Sequence, residues 1–341
     1  MPCETEVLTT ETPEKFQLAL NRATEILSAG GIVALPTETV YGLAANALDE
    51  SAVSRIYEAK GRPAHNPVIV HVSDTDMAHR HAAEWPEMAG RLAERFWPGP
   101  LTLVTQRSAD IPDIVTAGGE TVGLRHPRHG FFEAVMRACG FPLAAPSANA
   151  SNRLSPTSAV HVLNQLDGRI PLIIDGGPCP VGIESTVVDV TGARPIVLRP
   201  GMIRADEIEK AAAIGAGADE TEAMPESGPL KSPGQLSRHY SPRAETIAFQ
   251  WGNVSELRSL AEQQGINPRR TVLISFERND EEASNWLSVA RLPSDPEKAA
   301  RDFYALLHAA DESGADWIVL QSPPAEPQWR AITDRIQRAT A

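Results

Sequence analysis

Short apolar runs alternate with amphipathic segments along the first 200 residues, and this alternation restricts the fold more than any other feature of the chain. Thr12 followed by Pro13 predicts the start of a helix that ends at Gly30-Gly31. Further helices are predicted at 50–60, 75–83, 87–96, 130–139 and 157–166, and strands at 32–35, 68–70, 121–125, 143–145, 172–175, 186–190 and 196–198, with one more after the Pro-Gly-Pro turn at 98–100. Such an order is typical of an α/β fold, in which helices cover the faces of a sheet.

The amino-acid composition changes near residue 211 and divides the chain. Residues 211–243 are rich in Gly, Ala, Ser, Pro and acid without a sustained period, which predicts a linker between a domain at 1–210 and a smaller one at 244–341. In the latter we predict strands and helices in the order of a small parallel α/β domain: strand 246–249, helix 254–264, strand 272–276, helices 281–288 and 296–311, strand 317–320 and helix 328–338. No G-x-G-x-x-G follows any of these strands, so the pattern does not favour a dinucleotide site.

Composition excludes several classes of function. A chain of 341 residues with 42% apolar residues can fill two cores, and its net charge of −13 counts against broad electrostatic capture of nucleic acid. The three cysteines contain no C-x-x-C pair, so neither a disulfide framework nor a zinc site is indicated. The acidic first residues and the lack of an apolar run long enough for a bilayer lead us to expect a cytoplasmic protein without a membrane contact.

The stretch KGRPAHNPVIVH, from Lys60 to His71, has the composition of an anion site. Gly61 is expected to end the preceding helix, and Pro63 favours an extended Arg62, so that Lys60 and Arg62 project on one side and converge on a polyphosphate. The alternative is a helix end with solvated basic side chains, which is the more common explanation of an isolated K-x-R, and the polar residues later in the chain favour the anion site instead.

Polar residues recur where the predicted strands end. Thr39, Arg125, Ser147, Ser185 and Arg199 all follow or close an apolar run. In open α/β sheets ligands bind at this edge, so the five residues together favour a ligand site over five unrelated solvated loops.

Eight short motifs occur in one order along the chain: PTETVYGL, KGRP with NP and H, WPGPLT, GLRHP, PSAN, ESTVVD, LRPG and HYSP. In these motifs the sequence resembles the YrdC-domain family, in its long form of threonylcarbamoyl-AMP synthases with an extra C-terminal domain. The resemblance implies a twisted, open, mixed sheet flanked by helices in the first domain and a Rossmann-like parallel α/β domain after the linker.

The resemblance also implies a reaction, in which ATP, L-threonine and bicarbonate give threonylcarbamoyl-adenylate and pyrophosphate on the route to a modified adenosine in tRNA. It places threonine at Thr39, His71, Arg125, Ala145 and Ser185. It places ATP, with Mg²⁺, at Lys60, Arg62, Asn66, Thr121, Ser147, Asn149, Ser155, Arg199 and, from the linker, Tyr240. It further implies partner proteins of tRNA modification and at most a weak or indirect contact with tRNA.

General chemistry agrees with this division of the residues. Transfer of a nucleotidyl group needs positioning and charge neutralisation, which Lys60 and Arg62 supply, while Arg125 suits a carboxylate and His71 orients substrate or assists a proton. The carboxylates of Glu38 and Glu184 are candidate bases, although attack by an amine favours a structural or orienting role for both.

Two other functions remain open from the sequence. One is a nucleic-acid-binding module, which requires that Lys60, Arg62, Arg125 and Arg199 line an open groove. The other is a maturation factor that activates carbamoyl phosphate, but this chain lacks the cysteines of that factor's zinc-finger segments.

Overall fold

The computed structural model describes residues 4–212, 241–276 and 285–341. These residues form two compact units. The N-terminal unit comprises residues 4–151, 156–180 and 184–212, and the C-terminal unit comprises residues 152–155, 181–183, 241–276 and 285–341.

Strands and helices alternate in the N-terminal unit. Its strands are β1 (Glu6–Thr9), β2 (Val33–Leu35), β3 (Gly42–Asn46), β4 (Val70–His71), β5 (Leu101–Gln106), β6 (Thr121–Arg125), β7 (Leu143–Ala144), β8 (Leu172–Asp175), β9 (Thr186–Asp189) and β10 (Ile196–Arg199). Its helices are α1 (Pro13–Ser28), α2 (Glu50–Lys60), α3 (Thr75–His81), α4 (Glu87–Phe96), α5 (Asp113–Thr116), α6 (Gly130–Cys139), α7 (Ala159–Leu166) and α8 (Ala205–Ala212).

One mixed sheet organises this unit. Within residues 4–212 the strand order is β1-β8-β2-β3-β7-β4-β6-β5-β9-β10. β4 and β6 run parallel, whereas β6 pairs with β5 and β3 pairs with β7 in the antiparallel sense. The predicted α/β class with a mixed sheet is therefore confirmed.

Local sequence signals account for the helix boundaries near the site. The Thr12 hydroxyl accepts a hydrogen bond from the Lys15 amide at 3.3 Å, and Asp49 caps α2 in the same way through the amides of Ser51 and Ala52. Gly61 ends α2 with φ of 63°, a left-handed conformation that favours glycine. The buried side chains of α2, among them Ile56, pack in a core with β3 and β4.

Four elements of this unit are not predicted from sequence: β1, β3, α5 and α8. The single-turn helix α5 is only four residues long, too short for a helical period to appear. β1 lies at a sheet edge and is largely exposed, and β3 is buried throughout most of its length without an alternating pattern. α8 follows the last strand, and its residues Ile208 and Ala212 pack against Leu92 and neighbours in a core below α4. Residues 211 and 212, the first two of the predicted linker, are helical, and residues 213–240 of it lie outside the described residues.

The C-terminal unit contains a parallel sheet. It is formed by β11 (Glu245–Phe249), β12 (Thr271–Ser275), β13 (Ser288–Arg291) and β14 (Trp317–Gln321), in the order β11-β14-β12-β13. Its helices are α9 (Val254–Gln263), α10 (Pro296–Glu312) and α11 (Arg330–Ala339), with 3₁₀ turns at Pro268–Arg270 and Pro327–Trp329.

The small parallel α/β domain is confirmed, but one predicted element in it is wrong. The sequence predicts a helix at 281–288, of which 281–284 lie outside the described residues. Residue 288 instead begins β13, which pairs in parallel with β12. The polar run before Trp286 resembles a helix surface, and the strand SVAR is too short and too exposed to give a clear two-residue period.

Among the helices of the described ranges, none combines the length and the apolar character needed to cross a membrane.

Candidate active site

The ends of adjacent strands bring the predicted polar residues together. β4 and β6 run parallel with His71 opposite Arg125 in the register, and His71 also lies opposite Leu143 of β7. The loop after β7 therefore starts beside both residues, and a single bridge links its Ser147 to Gly42 of β3. The sheet thus builds the site where sequence reasoning places it, although by mixed rather than purely parallel pairing.

Arg125 is the buried cation at this edge of the sheet. Its Nη2 lies 2.8 Å from Oε2 of Glu38 and donates a hydrogen bond of 2.9 Å to the Thr39 hydroxyl. Its Nε lies 3.4 Å from the Gly99 carbonyl. The side chains of Arg125 and Glu38 are only 5% and 4% exposed, so water screens their interaction weakly.

A second arginine lies at the end of β10. Arg199 donates through Nε and Nη2 to the Ser185 carbonyl, and its Nη2 is 3.1 Å from the Ser185 hydroxyl. That hydroxyl also lies 2.8 Å from the hydroxyl of Thr102 on β5. Arg199 therefore fixes both the backbone and the side chain of Ser185. Thr102 is not predicted from sequence, although it lies inside the WPGPLT motif.

Lys60 and Arg62 take different partners in this structure. Lys60, 3% exposed at the end of α2, donates through Nζ to the carbonyls of Ser147 and Asn149, both at 2.5 Å. Arg62 donates to the carbonyls of Asn66 and Pro67. The left-handed Gly61 between them breaks the extended geometry that the sequence suggests, so each cation organises a separate loop.

Histidines line the same edge in a neutral state. Burial, with the nearby Arg125 charge, lowers the pKa of His71 to about 3. Burial also lowers the pKa of His126 and of His129, while the Glu38 carboxylate acts in the opposite direction on both. Neutral imidazoles of this kind can accept or donate a hydrogen bond without adding a positive charge.

Thr121 lies apart from this cluster. It begins β6, four residues from Arg125, which places it roughly 13 Å away along the strand. Ser155 is buried and belongs to the C-terminal unit, and Tyr240 lies outside the described residues. Asn66 is buried in the loop before β4. Ala145 directly follows β7 and donates its amide to the Ile69 carbonyl, which places it beside the cluster.

The arginines and Lys60 do not line an open groove. Lys60, Arg125 and Arg199 are each no more than 4% exposed, and Arg62 is partly buried. A surface that binds the phosphates of an extended nucleic acid needs exposed cations, so this arrangement disfavours the nucleic-acid-binding alternative.

The described residues contain no group of three or more His, Cys, Asp or Glu side chains that could hold a metal ion. Mg²⁺ commonly keeps several waters and binds through substrate phosphates rather than through an all-protein cage, so the donors present fit an ion that enters with a nucleotide.

Comparisons with known proteins match both parts of the chain. A family model described as "Telomere recombination", of the Sua5, YciO and YrdC proteins, matches residues 25–201, and a second, described as "Threonylcarbamoyl-AMP synthase, C-terminal domain", matches residues 203–341. A curated threonylcarbamoyl-AMP synthase of Pyrococcus abyssi is 39% identical over 93% of this chain and 93% of its own length. One from Bacillus subtilis is 39% identical over 98% of this chain and 95% of its own.

A solved structure extends the similarity to the fold. The crystal structure of P. abyssi Sua5 complexed with L-threonine superposes with a TM-score of 0.85 at 36% identity, covering 98% of each chain.

Proposed function

Because the chain belongs to the Sua5/YciO/YrdC family, in its two-domain form, we propose that it is a threonylcarbamoyl-AMP synthase, a transferase that converts ATP, L-threonine and bicarbonate to L-threonylcarbamoyladenylate and pyrophosphate. The relatives of that name cover both domains, and the similar Sua5 structure holds L-threonine. Its product is the activated intermediate of threonylcarbamoyladenosine, so the enzyme acts in tRNA modification.

The observation that carries the proposal is the buried group of Thr39, Arg125 and His71 at the ends of adjacent strands. A guanidinium binds a carboxylate with two parallel hydrogen bonds, which suits the α-carboxylate of threonine. The Thr39 hydroxyl lies 2.9 Å from the same guanidinium, and Ser185 presents a second fixed hydroxyl. Neutral His71 and the backbone of Ala145 complete a polar pocket for a small amino acid.

The nucleotide subsite is assigned to the loops that Lys60 and Arg62 organise. Lys60 donates to the carbonyls of Ser147 and Asn149 and so anchors this loop, which begins beside the ends of β4 and β6. Arg62, Asn66 and Arg199 supply further donors for phosphate oxygens. When bound, Mg²⁺ neutralises the phosphate charge, and it is held mainly by the nucleotide itself. Thr121, Ser155 and Tyr240 remain predicted nucleotide contacts.

In the proposed mechanism the protein acts by positioning. The threonine amine attacks the carbon of bicarbonate, a C–N bond forms and water leaves, giving a carbamate. A carbamate oxygen then attacks the α-phosphorus of ATP, and the bond to the bridging oxygen breaks to release pyrophosphate. Arg125 fixes the threonine carboxylate, neutral His71 orients the substrate, and Lys60 and Arg62 hold the phosphates in line.

The burial of the site protects unstable species. Carbamates and mixed anhydrides hydrolyse readily, so a pocket that excludes water preserves them. The product must then pass to the next enzyme of the modification, and we infer that partner proteins receive it while contact with the acidic chain leaves tRNA binding weak or indirect.

The function is tested by measuring pyrophosphate release from ATP with purified protein and detecting the adenylate by mass spectrometry. Release should require both L-threonine and bicarbonate, and should stop with EDTA and resume with MgCl₂. Equal turnover with L-serine, or without bicarbonate, would contradict the assignment. Arg125→Gln should raise KM for threonine and Arg62→Gln should raise KM for ATP; loss of ATP binding alone in both variants would refute the division into two subsites.

A further inference from the structure

Glu38 is a buried carboxylate whose capacity to accept hydrogen bonds is not filled by the described residues. It lies 3% exposed at the edge of the sheet, and only one of its oxygens is close to a cation, at 2.8 Å from Nη2 of Arg125. Neither oxygen receives a well-aligned hydrogen bond from a described residue. Buried carboxylates normally accept several, so the free capacity of Glu38 points to a donor that arrives with a ligand.

Arg125 has free capacity next to this carboxylate. Its Nε and Nη2 are engaged by Gly99, Thr39 and Glu38, whereas its Nη1 makes no hydrogen bond to any described residue. Among the described residues, an N–H donor without a partner therefore lies beside a buried carboxylate that accepts no well-aligned hydrogen bond. Together the two groups are electrically neutral and form a dipole.

An α-amino acid at neutral pH carries the opposite dipole, with an ammonium one carbon away from its carboxylate. If the carboxylate binds Arg125, as in the proposed function on which this step rests, the ammonium falls within reach of Glu38. We propose that Glu38 is the ammonium-recognising residue of the amino-acid subsite, and that it makes the enzyme select α-amino acids over other small carboxylates.

Three histidines are the competing acceptors in this region. Nδ1 of His71, Nε2 of His126 and Nδ1 of His129 have no hydrogen-bond partner among the described residues. All three are neutral rings, and a hydrogen bond from an ammonium to a carboxylate is roughly twice as strong as one to a neutral acceptor. Glu38 is therefore the preferred partner, and the histidines complete its surroundings.

The proposal differs from a role in which Glu38 only holds Arg125 in place. In that case removal of the carboxylate would weaken every ligand that binds Arg125. Recognition of the ammonium predicts a loss that depends on the ligand, because a ligand without an ammonium gains nothing from Glu38.

The test compares Glu38→Gln with the wild type by calorimetry, using three ligands. L-Threonine carries both charges, 2,3-dihydroxybutyrate replaces the ammonium by a hydroxyl, and threonine amide lacks the carboxylate. The variant should bind threonine and threonine amide roughly 10-fold to 100-fold more weakly, as expected for a lost charge-assisted hydrogen bond. The affinity for dihydroxybutyrate should stay within about twofold or improve.

Arg125→Gln is the reciprocal variant. It should weaken threonine and dihydroxybutyrate and should leave or strengthen the binding of threonine amide, because Glu38 then lacks its competing partner. Glu133→Gln is the matched control, since Glu133 lies near His126 and His129 but pairs with Arg137 on α6. This control should leave the affinities for all three ligands unchanged.

Equal losses for threonine and dihydroxybutyrate in Glu38→Gln would show a role limited to holding Arg125 and would overturn the proposal, as would no loss for threonine. A melting temperature close to that of the wild type shows that the variant is folded, and Glu38→Asp, which keeps the charge, should restore part of the lost affinity for threonine. The proposed function fails separately, if the wild type itself does not bind threonine.

Discussion

Lys60 has a structural role in the protein that does not depend on a ligand. Burial lowers its pKa well below the usual range of a lysine, with the charge of Arg62 acting in the same direction. Its Nζ is nevertheless surrounded by the carbonyls of Ser147 and Asn149. The residue therefore determines the shape of the loop that carries the predicted nucleotide contacts.

Lys60→Met is expected to lower the free energy of unfolding by about 2 kcal/mol, because it leaves two buried carbonyls without their donor. Urea denaturation measures this loss. The apparent KM for ATP should rise in the same variant, since the loop of residues 147–149 loses its anchor. Unchanged stability would show that water replaces Nζ and that the loop does not depend on Lys60.

His71 gives the protein a stability that depends on pH. Its pKa in the folded state is about 3, below the ordinary value of 6.5 for histidine, so the unfolded chain binds more protons between these values. The contribution of His71 is complete above pH 6.5 and is lost as the pH falls toward 3, at ~1.4 kcal/mol per pH unit.

The prediction is tested by measuring the free energy of unfolding from pH 7 to pH 4 in the wild type and in His71→Gln. The free energy of unfolding should depend less steeply on pH in the variant. The expected difference is ~1.4 kcal/mol per pH unit, which corresponds to one proton, whatever the effect of the substitution on stability at pH 7. His126 and His129, whose pKa values are also lowered, remain in both proteins and cancel in the comparison. Identical slopes would mean that His71 takes up its proton in the folded state over the same pH range as in the unfolded chain.

At the scale of elements, the turn after α2 determines the directions of Lys60 and Arg62, the two side chains that are predicted to bind phosphate. Gly61 has φ of 63°, and a Cβ added there would meet no atom within 4 Å. The cost of an alanine at this position is therefore backbone strain alone. Gly140, which ends α6 with φ of 72° and equally open space, has the same local geometry away from Lys60 and Arg62.

Gly61→Ala and Gly140→Ala should each lower the free energy of unfolding by about 1–2 kcal/mol, the cost of a left-handed non-glycine residue. Only Gly61→Ala should also raise KM for ATP, because it alone shifts the backbone between Lys60 and Arg62. Chemical denaturation and steady-state kinetics on the pair separate the two effects. An equal change in KM in both variants would assign it to general loss of stability.

Elements with strong local signals were predictable and those defined by tertiary contacts were not. The bounds of β6 and α6 agree with the prediction, because each is an apolar run closed by Pro or Gly. β3 was not predicted because the residues Gly42–Asn46 are small and mostly buried. Neither the two-residue period of a half-buried strand nor the 3.6-residue period of a helix appears in them. At the site, the strand-end residues were predictable from position, whereas the Arg125–Glu38 pair and the Ser185–Thr102 contact join distant parts of the chain.

At the scale of the whole molecule, the chain order and the compact units do not coincide. Residues 152–155 and 181–183 lie between strands of the N-terminal unit but belong to the C-terminal unit. Within the C-terminal unit, Nε2 of His308 lies 3.0 Å from the carbonyl of Ser155, a predicted nucleotide contact. The composition of the sequence predicts a linker at 211–243, but it contains no signal for these two short segments.

The last described helix of the N-terminal unit, α8, determines where a stable fragment of this unit can end. Ile208 of α8 is buried, and the Ala212 carbonyl accepts hydrogen bonds from Nε and Nη2 of Arg91 at 3.0 and 2.7 Å. Burial of one isoleucine side chain is worth about 1.5–3 kcal/mol. A fragment of residues 1–212 should therefore unfold at a higher urea concentration than one of residues 1–204, and both should retain the circular dichroism of an α/β fold.

Activity should not follow stability in this pair. Both fragments lack residues 241–341, which supply the His308 side chain next to the Ser155 carbonyl. Threonine-dependent pyrophosphate release should therefore be at least about tenfold below that of the full chain, as expected when a positioned contact is lost. Steady-state kinetics at saturating threonine with varied ATP should show that the fragments have a higher KM for ATP than the full chain. Full activity in the 1–212 fragment would show that Ser155 and the C-terminal unit are dispensable for the reaction.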